Sequence, residues 1–373
     1  MSKSKQPQLI YPSRRLSRLS RRSVLGAGLF IGSSALLKAC TGSSPSGGAS
    51  GGGEIVATTF AGSWEQLYRD SLVPAFASNS GGSVSLVPMV SLEQIAKLQA
   101  SPQSPPFDVV LLDEGPFNAA PKELFEKVPA ELLSNYDEVL PALKSEEGWG
   151  PTTGVQAIGI AYNPTSVSSP PTSWNDLLDP KYKGKVSMQG MQTTQGTSVM
   201  VQFAKMNGGS ETDIEPAFTL LKEQLKPNLT GIAANSGALA TLFQQGEIDL
   251  APHDLNNVIA LKEKGLDIDW VAPQEGGIAL RPAQQIVANT GTDLELAAAF
   301  LNETLSLEVQ TAMADAPYYF LPSNQNVELS GILAEKLGAS TEEALSNLVL
   351  LDWSQINPSR TEWIERFDKE VQA

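Results

Sequence analysis

Strand-like and helical runs alternate through most of the chain from residue 54 onward, and this alternation limits the fold more than any other feature. In the first series, each short apolar run is followed by a longer helical one: 55–59 then 64–78, 83–88 then 92–100, and 108–112 then 118–127. That order predicts βαβ units, in which parallel strands are covered by helices on both faces. The predicted fold class is therefore α/β.

A second α/β series follows a long strand pattern at 154–162. Two such series predict two lobes. From residue 294 onward the pattern is mostly helical, and Pro358 is predicted in the first turn of an amphipathic run whose Trp363 and Phe367 share a face. The second series has predicted strands at 185–188, 230–233, 249–252 and 267–271, and predicted helices at 197–206, 214–225, 237–245 and 255–264.

The first 40 residues have the features of an export signal. Arg21 and Arg22 precede an apolar run at 25–37, which is shorter than the roughly 20 residues that a membrane-spanning helix needs. A basic flank and a short apolar core are typical of a secretory signal, and paired arginines indicate the twin-arginine route. Residues 37–40 resemble a lipobox, in which Cys40 would be acylated. We predict a lipoprotein signal at 1–40 and a flexible Gly/Ser-rich tether at 41–53.

Charge and cysteine content exclude several classes of function. The net charge is −15, and eight basic residues but no acidic ones precede Cys40, so the remainder is more acidic still. Nucleic acids and anionic lipids are bound by basic surfaces, so neither is an expected partner. Cys40 is the single cysteine of the chain, which argues against disulfides and against thiol chemistry in the folded part.

Catalytic and metal-binding patterns are also missing from the sequence. His253 is the only histidine, so a nucleophile–histidine triad has no other imidazole base, and a histidine metal cluster cannot form. A G-x-S-x-G match at 48–52 lies in the predicted tether, outside the strand–turn–helix context that the motif requires. Neither a P-loop nor a dinucleotide fingerprint follows a predicted strand. We predict a protein without catalysis, metal or cofactor.

Polar residues follow several predicted strands, where open α/β sheets bind ligands. Three of these residues also fit a structural role: Ser63 as a helix cap, Trp64 as a core residue, and His253 as an internally hydrogen-bonded residue. Residues just before a helix can offer free backbone N–H groups to polar or anionic ligands. The candidate ligand-binding residues in these loops are Gly62, Ser63, Trp64, Asp113, Glu114, Gln192, Thr193, Thr194, Ser236, His253 and Asp254.

Three further motifs carry a resemblance to a known family. The Tyr-Asn-Pro at 162–164, the long block at 173–186 beginning Ser-Trp-Asn-Asp-Leu-Leu, and the Pro-Gln-Glu-Gly-Gly at 273–277 resemble segments of bacterial extracellular solute-binding proteins of the spermidine/putrescine type. The likeness runs from about residue 54 to residue 326. It implies a type II periplasmic binding protein fold, in which two lobes joined by crossover strands at 154–162 and 284–288 close on a ligand.

The resemblance also implies a partner and a location. Such receptors pass a small solute to an ABC permease, and the lipid on Cys40 would hold this one, as a monomer, in the periplasm or at the outer face of the cytoplasmic membrane. We expect lobe 1 to comprise residues 54–155 and 286–330, and lobe 2 to comprise residues 156–285. C-terminal helices at 331–373 would pack on the lobes.

The expected ligand differs from that of the polyamine receptors. They are similar to one another in having a Trp and an Asp after the Glu-Gly-Gly segment, whereas this chain has Ile-Ala-Leu-Arg-Pro at 278–282. Arg281 could clamp a carboxylate or phosphonate, with Asp254 or Glu114 holding an amine. An amino acid, opine or aminophosphonate would then bind. Alternatively, Arg281 forms a rim or interlobe salt bridge.

Four further functions are compatible with the sequence. Related receptors bind ferric iron through tyrosines, and Tyr318-Tyr319 is a tandem pair in this chain. The other three are a thiamine-type receptor of the same fold, a receptor-like lipoprotein that signals through a partner, and a secreted hydrolase.

Overall fold

The structure is a computed structural model, and it describes residues 52–145 and 147–372. These residues belong to one compact unit. The predicted signal, with Arg21, Arg22 and Cys40, lies outside the described residues. No helix in the described ranges is both long and apolar enough to cross a membrane.

Strands and helices alternate from residue 54, as the sequence pattern predicts. Two π-helical segments, Tyr68–Leu72 and Leu221–Leu225, join α1 to α2 and α6 to α7. The strands are β1 (Glu54–Thr59), β2 (Ser83–Pro88), β3 (Val109–Leu112), β4 (Phe125–Glu126), β5 (Gly154–Tyr162), β6 (Val186–Gln189), β7 (Leu229–Ala233), β8 (Leu250–Asp254), β9 (Asp269–Val271), β10 (Gly277–Leu280), β11 (Ala283–Val287), β12 (Leu321–Pro322) and β13 (Leu348–Val349). The helices are α1 (Ser63–Leu67), α2 (Val73–Ser80), α3 (Ser91–Ala100), α4 (Glu114–Ala119), α5 (Thr194–Met206), α6 (Glu215–Leu220), α7 (Lys226–Asn228), α8 (Ser236–Gln244), α9 (Leu255–Glu263), α10 (Leu294–Thr304), α11 (Leu307–Ala314), α12 (Gly331–Leu337), α13 (Thr341–Ser346) and α14 (Trp353–Gln372).

Lobe 1 is built on a five-stranded sheet in the order β2-β1-β3-β11-β4. β1 is parallel to β2 and β3, whereas β11 is antiparallel to β3 and β4. All four residues of β3 are buried, as expected for a central strand that helices cover on both faces. The parallel part of the sheet brings the carboxyl ends of β1, β2 and β3 to one edge.

Lobe 2 is built on an eight-stranded sheet, whose main path is β13-β10-β5-β8-β6-β7. β6 is parallel to β7 and β8, while β5 is antiparallel to β8, β9 and β10. The predicted parallel pairing is thus correct for β1–β3 in lobe 1 and for β6–β8 in lobe 2. The crossover strands β5 and β11 instead pair antiparallel with their neighbours. The carboxyl ends of β6, β7 and β8 face lobe 1.

The chain passes between the lobes along two adjacent strands. β5 begins the first passage, and β10 continues through Arg281 and Pro282 into β11 of the other sheet. The two passages touch where the Thr153 N–H donates to the Pro282 carbonyl at 3.0 Å. The predicted fold class, two α/β lobes joined by two crossover strands, is confirmed.

Two local predictions are wrong. The helix predicted at 118–127 instead begins at Glu114 and ends at Ala119, because Pro121 has no N–H to continue it. Phe125–Glu126 then pairs with β11 as a strand. Pro358 lies inside α14 rather than in its first turn, since Asp352 accepts from the Ser354 N–H at 2.9 Å and starts the helix earlier.

The motifs behind the family resemblance lie against each other in lobe 2. Trp174 is 1% exposed, and its Nε1 donates to the Gly276 carbonyl at 2.9 Å. Its backbone N–H donates to Glu275 Oε2 at 3.2 Å. The same apolar cluster receives Trp363 and Phe367 from α14, the shared face predicted from their spacing. The C-terminal helix is therefore fixed to lobe 2.

Candidate functional site

A cavity of about 900 Å³ lies between the lobes. Lobe 1 contributes the loops after β1, β2 and β3, and lobe 2 contributes the N-termini of α5 and α8 and the start of α9. These are the strand ends where open α/β sheets place ligands. The parallel strands of both lobes therefore direct their loops into one shared space.

The cavity contains nine of the twelve predicted ligand-binding residues. The other three, Glu114, His253 and Arg281, do not line it. The nine that line it are Gly62, Ser63, Trp64, Asp113, Gln192, Thr193, Thr194, Ser236 and Asp254.

The lobe 1 wall is largely apolar. Trp64 is 3% exposed and stacks on Phe320, with ring centroids 4.3 Å apart, so the core role predicted for it coexists with its place in the lining. Val90 and Leu92 are 65% and 51% exposed at the same wall. Ser63 is not the cap of α1, because Gly62 takes that position with φ +91° and the helix begins at Ser63. This wall suits the hydrocarbon part of a solute.

The lobe 2 wall is polar and includes two helix N-termini. The Thr193 hydroxyl accepts from the Gly196 N–H at 2.9 Å at the start of α5. The Asn235 side chain accepts from the Ala238 N–H at 3.0 Å at the start of α8. The first N–H groups of each helix have no intrahelical carbonyl to bond, and the helix dipole adds partial positive charge there. Both ends can receive an anionic group.

Asp113 is the acid of lobe 1 that lines the cavity. Its Oδ2 accepts from the Thr194 hydroxyl at 2.9 Å and from the Ser91 hydroxyl at 3.3 Å. Both hydrogen bonds use Oδ2, which leaves Oδ1 for a ligand. Enclosure between the lobes removes water and raises the pKa of Asp113, although these hydroxyls and the charge of Arg360 act to lower it. A cation in the cavity would relieve the cost of ionising this carboxyl.

Asp254 is the acid of lobe 2, and neighbouring side chains satisfy it. Its Oδ2 accepts from the Ser236 hydroxyl at 2.8 Å and from Asn257 Nδ2 at 2.9 Å, and the Nδ1 of His253 lies 3.1 Å away. Burial acts to raise the pKa of Asp254, but these hydrogen bonds outweigh burial and hold the pKa below its usual value. Asp254 is a fixed negative charge in the polar wall.

His253 lies behind that wall. It is fully buried, and Trp270 Nε1 donates to its carbonyl at 3.0 Å. Its contact with Asp254 orients the carboxylate. Only Nδ1 has hydrogen-bond partners, since the buried Nε2 has none among the described residues, and the ring does not line the cavity.

Arg281 is paired with Glu114 across the lobes. Its Nε and Nη2 donate to the two carboxylate oxygens at 2.9 and 2.6 Å. The pair is largely buried beside the crossover, and Arg281 Nη2 is also 3.4 Å from the Leu351 carbonyl. Because the fork of Arg281 is occupied, the structure places it in an interlobe salt bridge rather than in an anion clamp. Glu114 is occupied by the same pair.

The tandem tyrosines do not form an open metal site. Tyr318 donates to Asp70 at 2.8 Å, and Tyr319 donates to Glu263. Burial and these carboxylates raise the pKa of each tyrosine to about 12. Both phenol hydroxyls are engaged by carboxylates, and neither tyrosine lines the cavity between the lobes. The described ranges contain no group of three or more His, Cys, Asp or Glu residues that could hold a metal.

Sequence reasoning missed several residues of the cavity. Phe60 adjoins the predicted loop 62–64, and Asn256 and Asn257 directly follow Asp254, so their positions in the sequence could have indicated them. Phe320 and Lys264 had no such signal. Phe320 reaches the cavity from the segment just before β12 and Lys264 from the end of α9, positions that only the packing of the lobes defines.

The fold and the cavity define the class of protein. Two α/β lobes, two crossover strands and a cavity between the lobes are the features of a type II periplasmic binding protein. A solved ABC transporter structure from Clostridium perfringens ATCC 13124 has the same architecture, with a TM-score of 0.71 and 25% identity over 85% of this chain and 99% of that one.

The sequence comparisons name the family. Residues 103–337 match the model of the family described as bacterial extracellular solute-binding protein, and the chain belongs to that family. A putative 2-aminoethylphosphonate-binding periplasmic protein of Salmonella typhi is 27% identical over 68% of this chain and 72% of the relative. The spermidine/putrescine-binding periplasmic protein of Escherichia coli K12 is 26% identical over 70% and 76%. The family and these relatives are extracytoplasmic solute-binding proteins of ABC importers rather than enzymes.

Proposed function

We propose that this receptor captures a small zwitterionic solute, with an ammonium group at one end and a phosphonate or carboxylate at the other, for an ABC importer. The observation that carries the proposal is that one cavity is lined both by the carboxylate of Asp113 and by two helix N-termini of lobe 2. The α5 end meets Asp113 through the Thr194 hydroxyl, and the α8 end lies beside Asp254 through Ser236. A solute in the cavity therefore meets both a negative group and a positive field.

The ammonium group would bind Asp113. An ammonium donating to Oδ1 forms a charge-assisted hydrogen bond inside a water-poor cavity, where such bonds are strongest. Thr194 already connects Asp113 to lobe 2 at 2.9 Å. A ligand that ionises Asp113 strengthens that interlobe bond as well, so it favours the closed arrangement over the open one.

The anionic group would bind at the starts of α5 and α8. Lys264, at the C-terminal end of α9, is an exposed cation that also lines the cavity. The relative from Salmonella typhi is named for an aminophosphonate, which combines both end groups. Among the solute classes that the sequence left open, aminophosphonates therefore agree best with the cavity, while Arg281 takes no part in anion binding.

A polyamine is the second candidate. Asp113 and Asp254 both carry negative charge toward the cavity, one from each lobe, and a relative is named for spermidine and putrescine. A diamine would satisfy both acids but would leave the helix N-termini without an anion.

Thermal unfolding and calorimetric titration of residues 54–373 would separate these candidates. The panel is 2-aminoethylphosphonate, ethylphosphonate, putrescine and spermidine, with thiamine and ferric citrate to test a thiamine-type and a ferric-iron receptor. A solute at about 100 times its dissociation constant adds roughly 2.7 kcal/mol of stability and raises the midpoint by several degrees. We expect the zwitterion to stabilise most; stronger stabilisation by either polyamine would overturn the proposal.

We propose in addition that Cys40 anchors the receptor after twin-arginine export. The support is the sequence at 21–40 alone, because these residues lie outside the structure's described range. Cells expressing the full chain with Cys40→Ser are expected to release the receptor from the membrane fraction, whereas a Cys40→Ser protein that stays in that fraction would contradict the proposal.

We also propose that the receptor is a monomer. The limits proposed for its lobes, residues 155 and 285, lie near the contact of Thr153 with Pro282.

A further inference from the structure

Arg360 is a cation enclosed beside the cavity. It lies in the middle of α14 and is 7% exposed. Its Nε donates to the Thr197 hydroxyl at 3.2 Å, and its Nη2 donates to the Gln192 carbonyl at 3.1 Å. The guanidinium also lies 5.3 Å from the ring centroid of Trp353. Both hydrogen-bond acceptors belong to the turn that begins α5 at the cavity.

This cation differs from the other arginines of the fold. Arg69, Arg281 and Arg366 each form a salt bridge, whereas in the described ranges no carboxylate lies within 4.0 Å of Arg360. Burying a cation without a contacting anion is costly. The cost is offset in part by Asp113, whose charge acts on Arg360 through the cavity wall. The N-terminus of α5 separates the two groups.

The turn between these charges is held from both sides. Thr197 donates to the Met191 carbonyl at 2.6 Å while it accepts from Arg360. Gln192 also donates from its side chain to Asp368 of α14 at 2.9 Å. Arg360 therefore fixes the conformation of the turn whose residues line the cavity, and it adds positive charge directly behind them.

The helix that carries Arg360 also contacts lobe 1. Asn357 Nδ2 donates to the Gly115 carbonyl of α4 at 2.8 Å. Trp353 packs so closely on Gly115 that a Cβ there would come within 2.4 Å of its ring. α4 directly follows Asp113, so α14 reaches both walls of the cavity. The family match ends at residue 337, before this helix begins.

We infer that Arg360 is a positioning residue that sets the charge preference of the receptor. By holding the turn at 191–197 and adding positive charge behind it, Arg360 strengthens the binding of solutes that carry an anionic group and weakens the binding of dications. It acts through Gln192 and Thr197 and does not touch the solute. This inference deepens the proposed function and rests on it, because it assumes an anionic group at the start of α5.

The test compares Arg360→Gln with Arg360→Lys and with Arg366→Gln. Arg366→Gln is the matched control, since Arg366 is on the same helix but pairs with Glu215 and Glu370 away from the cavity. We expect Arg360→Gln to weaken the binding of 2-aminoethylphosphonate about tenfold, which is about 1.4 kcal/mol. Arg360→Lys should restore most of the affinity, and Arg366→Gln should not change it. Putrescine should bind Arg360→Gln as well as, or better than, the parent protein.

A second readout needs no solute. The pKa of the Asp113 carboxyl, followed by carbon NMR in the empty receptor, should rise in Arg360→Gln and stay unchanged in Arg366→Gln, because a neighbouring positive charge favours the ionised acid. If Arg360→Gln weakened the binding of 2-aminoethylphosphonate and of putrescine equally and left the Asp113 pKa unchanged, Arg360 would have a structural role only, and the inference would be overturned. If the parent protein binds neither solute, the proposed function fails, and the NMR measurement still decides the role of Arg360.

Discussion

Replacing Asp113 by asparagine is expected to weaken the binding of an amine-bearing solute about 100-fold. Asparagine keeps the shape of the side chain and can still accept from Thr194 and Ser91, but it loses the negative charge that faces the cavity. A hydrogen bond to a charged group contributes about 1.5–3 kcal/mol, and 100-fold is about 2.7 kcal/mol. Calorimetric titration measures the change.

The same substitution should leave folding stability intact. The folded protein raises the pKa of Asp113, so the stability that this group contributes is full below the unfolded pKa and is lost as pH rises through the folded pKa. At neutral pH the ionised carboxylate is therefore a cost to the empty receptor, and the Asp113→Asn substitution removes that cost. Thermal unfolding at pH 7 should show a midpoint at or above that of the parent protein.

Proton release provides an independent check on Asp113. An ammonium group favours the ionised carboxylate, so binding should release protons between the ordinary aspartate pKa near 4 and the raised pKa of the empty receptor. Affinity should increase with pH across that window. The substitution Asp137→Asn is the control, because Asp137 does not line the cavity. Unchanged affinity in Asp113→Asn would remove Asp113 from the ammonium site.

Trp174→Ala is expected to lower the free energy of unfolding by about 4 kcal/mol. Trp174 is almost completely buried in the lobe 2 core, and truncating a large aromatic residue there costs about 3–5 kcal/mol through lost transfer energy and a cavity. The change also leaves the Gly276 carbonyl without its Nε1 donor. Urea denaturation monitored by circular dichroism would measure the loss.

Trp174→Phe is the matched control for this prediction. Phenylalanine keeps most of the buried ring but lacks the indole N–H, so a loss of about 1–2 kcal/mol is expected, mainly from the unpaired carbonyl. A loss below about 1 kcal/mol for Trp174→Ala would show that the 173–186 block is not a stabilising element. The hydrogen bonds between Trp174 and the Glu275-Gly276 segment would then have a purpose other than stability.

The position of Trp174 explains why the family was recognisable while the solute was not. The 173–186 block and the 273–277 segment bond to each other in lobe 2, away from the cavity lining. They preserve a packing arrangement of the fold. The proposed solute site is instead lined by loops such as 62–64 and 192–194, which are short and can change without disturbing that packing.

Local patterns in the sequence determined the elements of this protein. β5 has the predicted limits, and most other strands and helices lie within a few residues of theirs, because apolar periodicity and helix-starting residues act over short distances along the chain. The same reasoning found the cavity-lining loops, since parallel strands bring their carboxyl ends to one edge. The helix predicted at 118–127 failed because Pro121 follows the end of α4 and Phe125–Glu126 pairs with the distant β11.

Which charged groups face the cavity depends on how distant parts of the chain pack together. Arg281 pairs with Glu114 across 167 residues of sequence, and Arg360 reaches Gln192 across 168. The sequence shows that these charged residues exist, but it does not show where their side chains point or how far a carboxylate is removed from water. Those properties arise when the two lobes and α14 pack together, because burial and distance, which set the energy of each charge, are properties of the assembled fold.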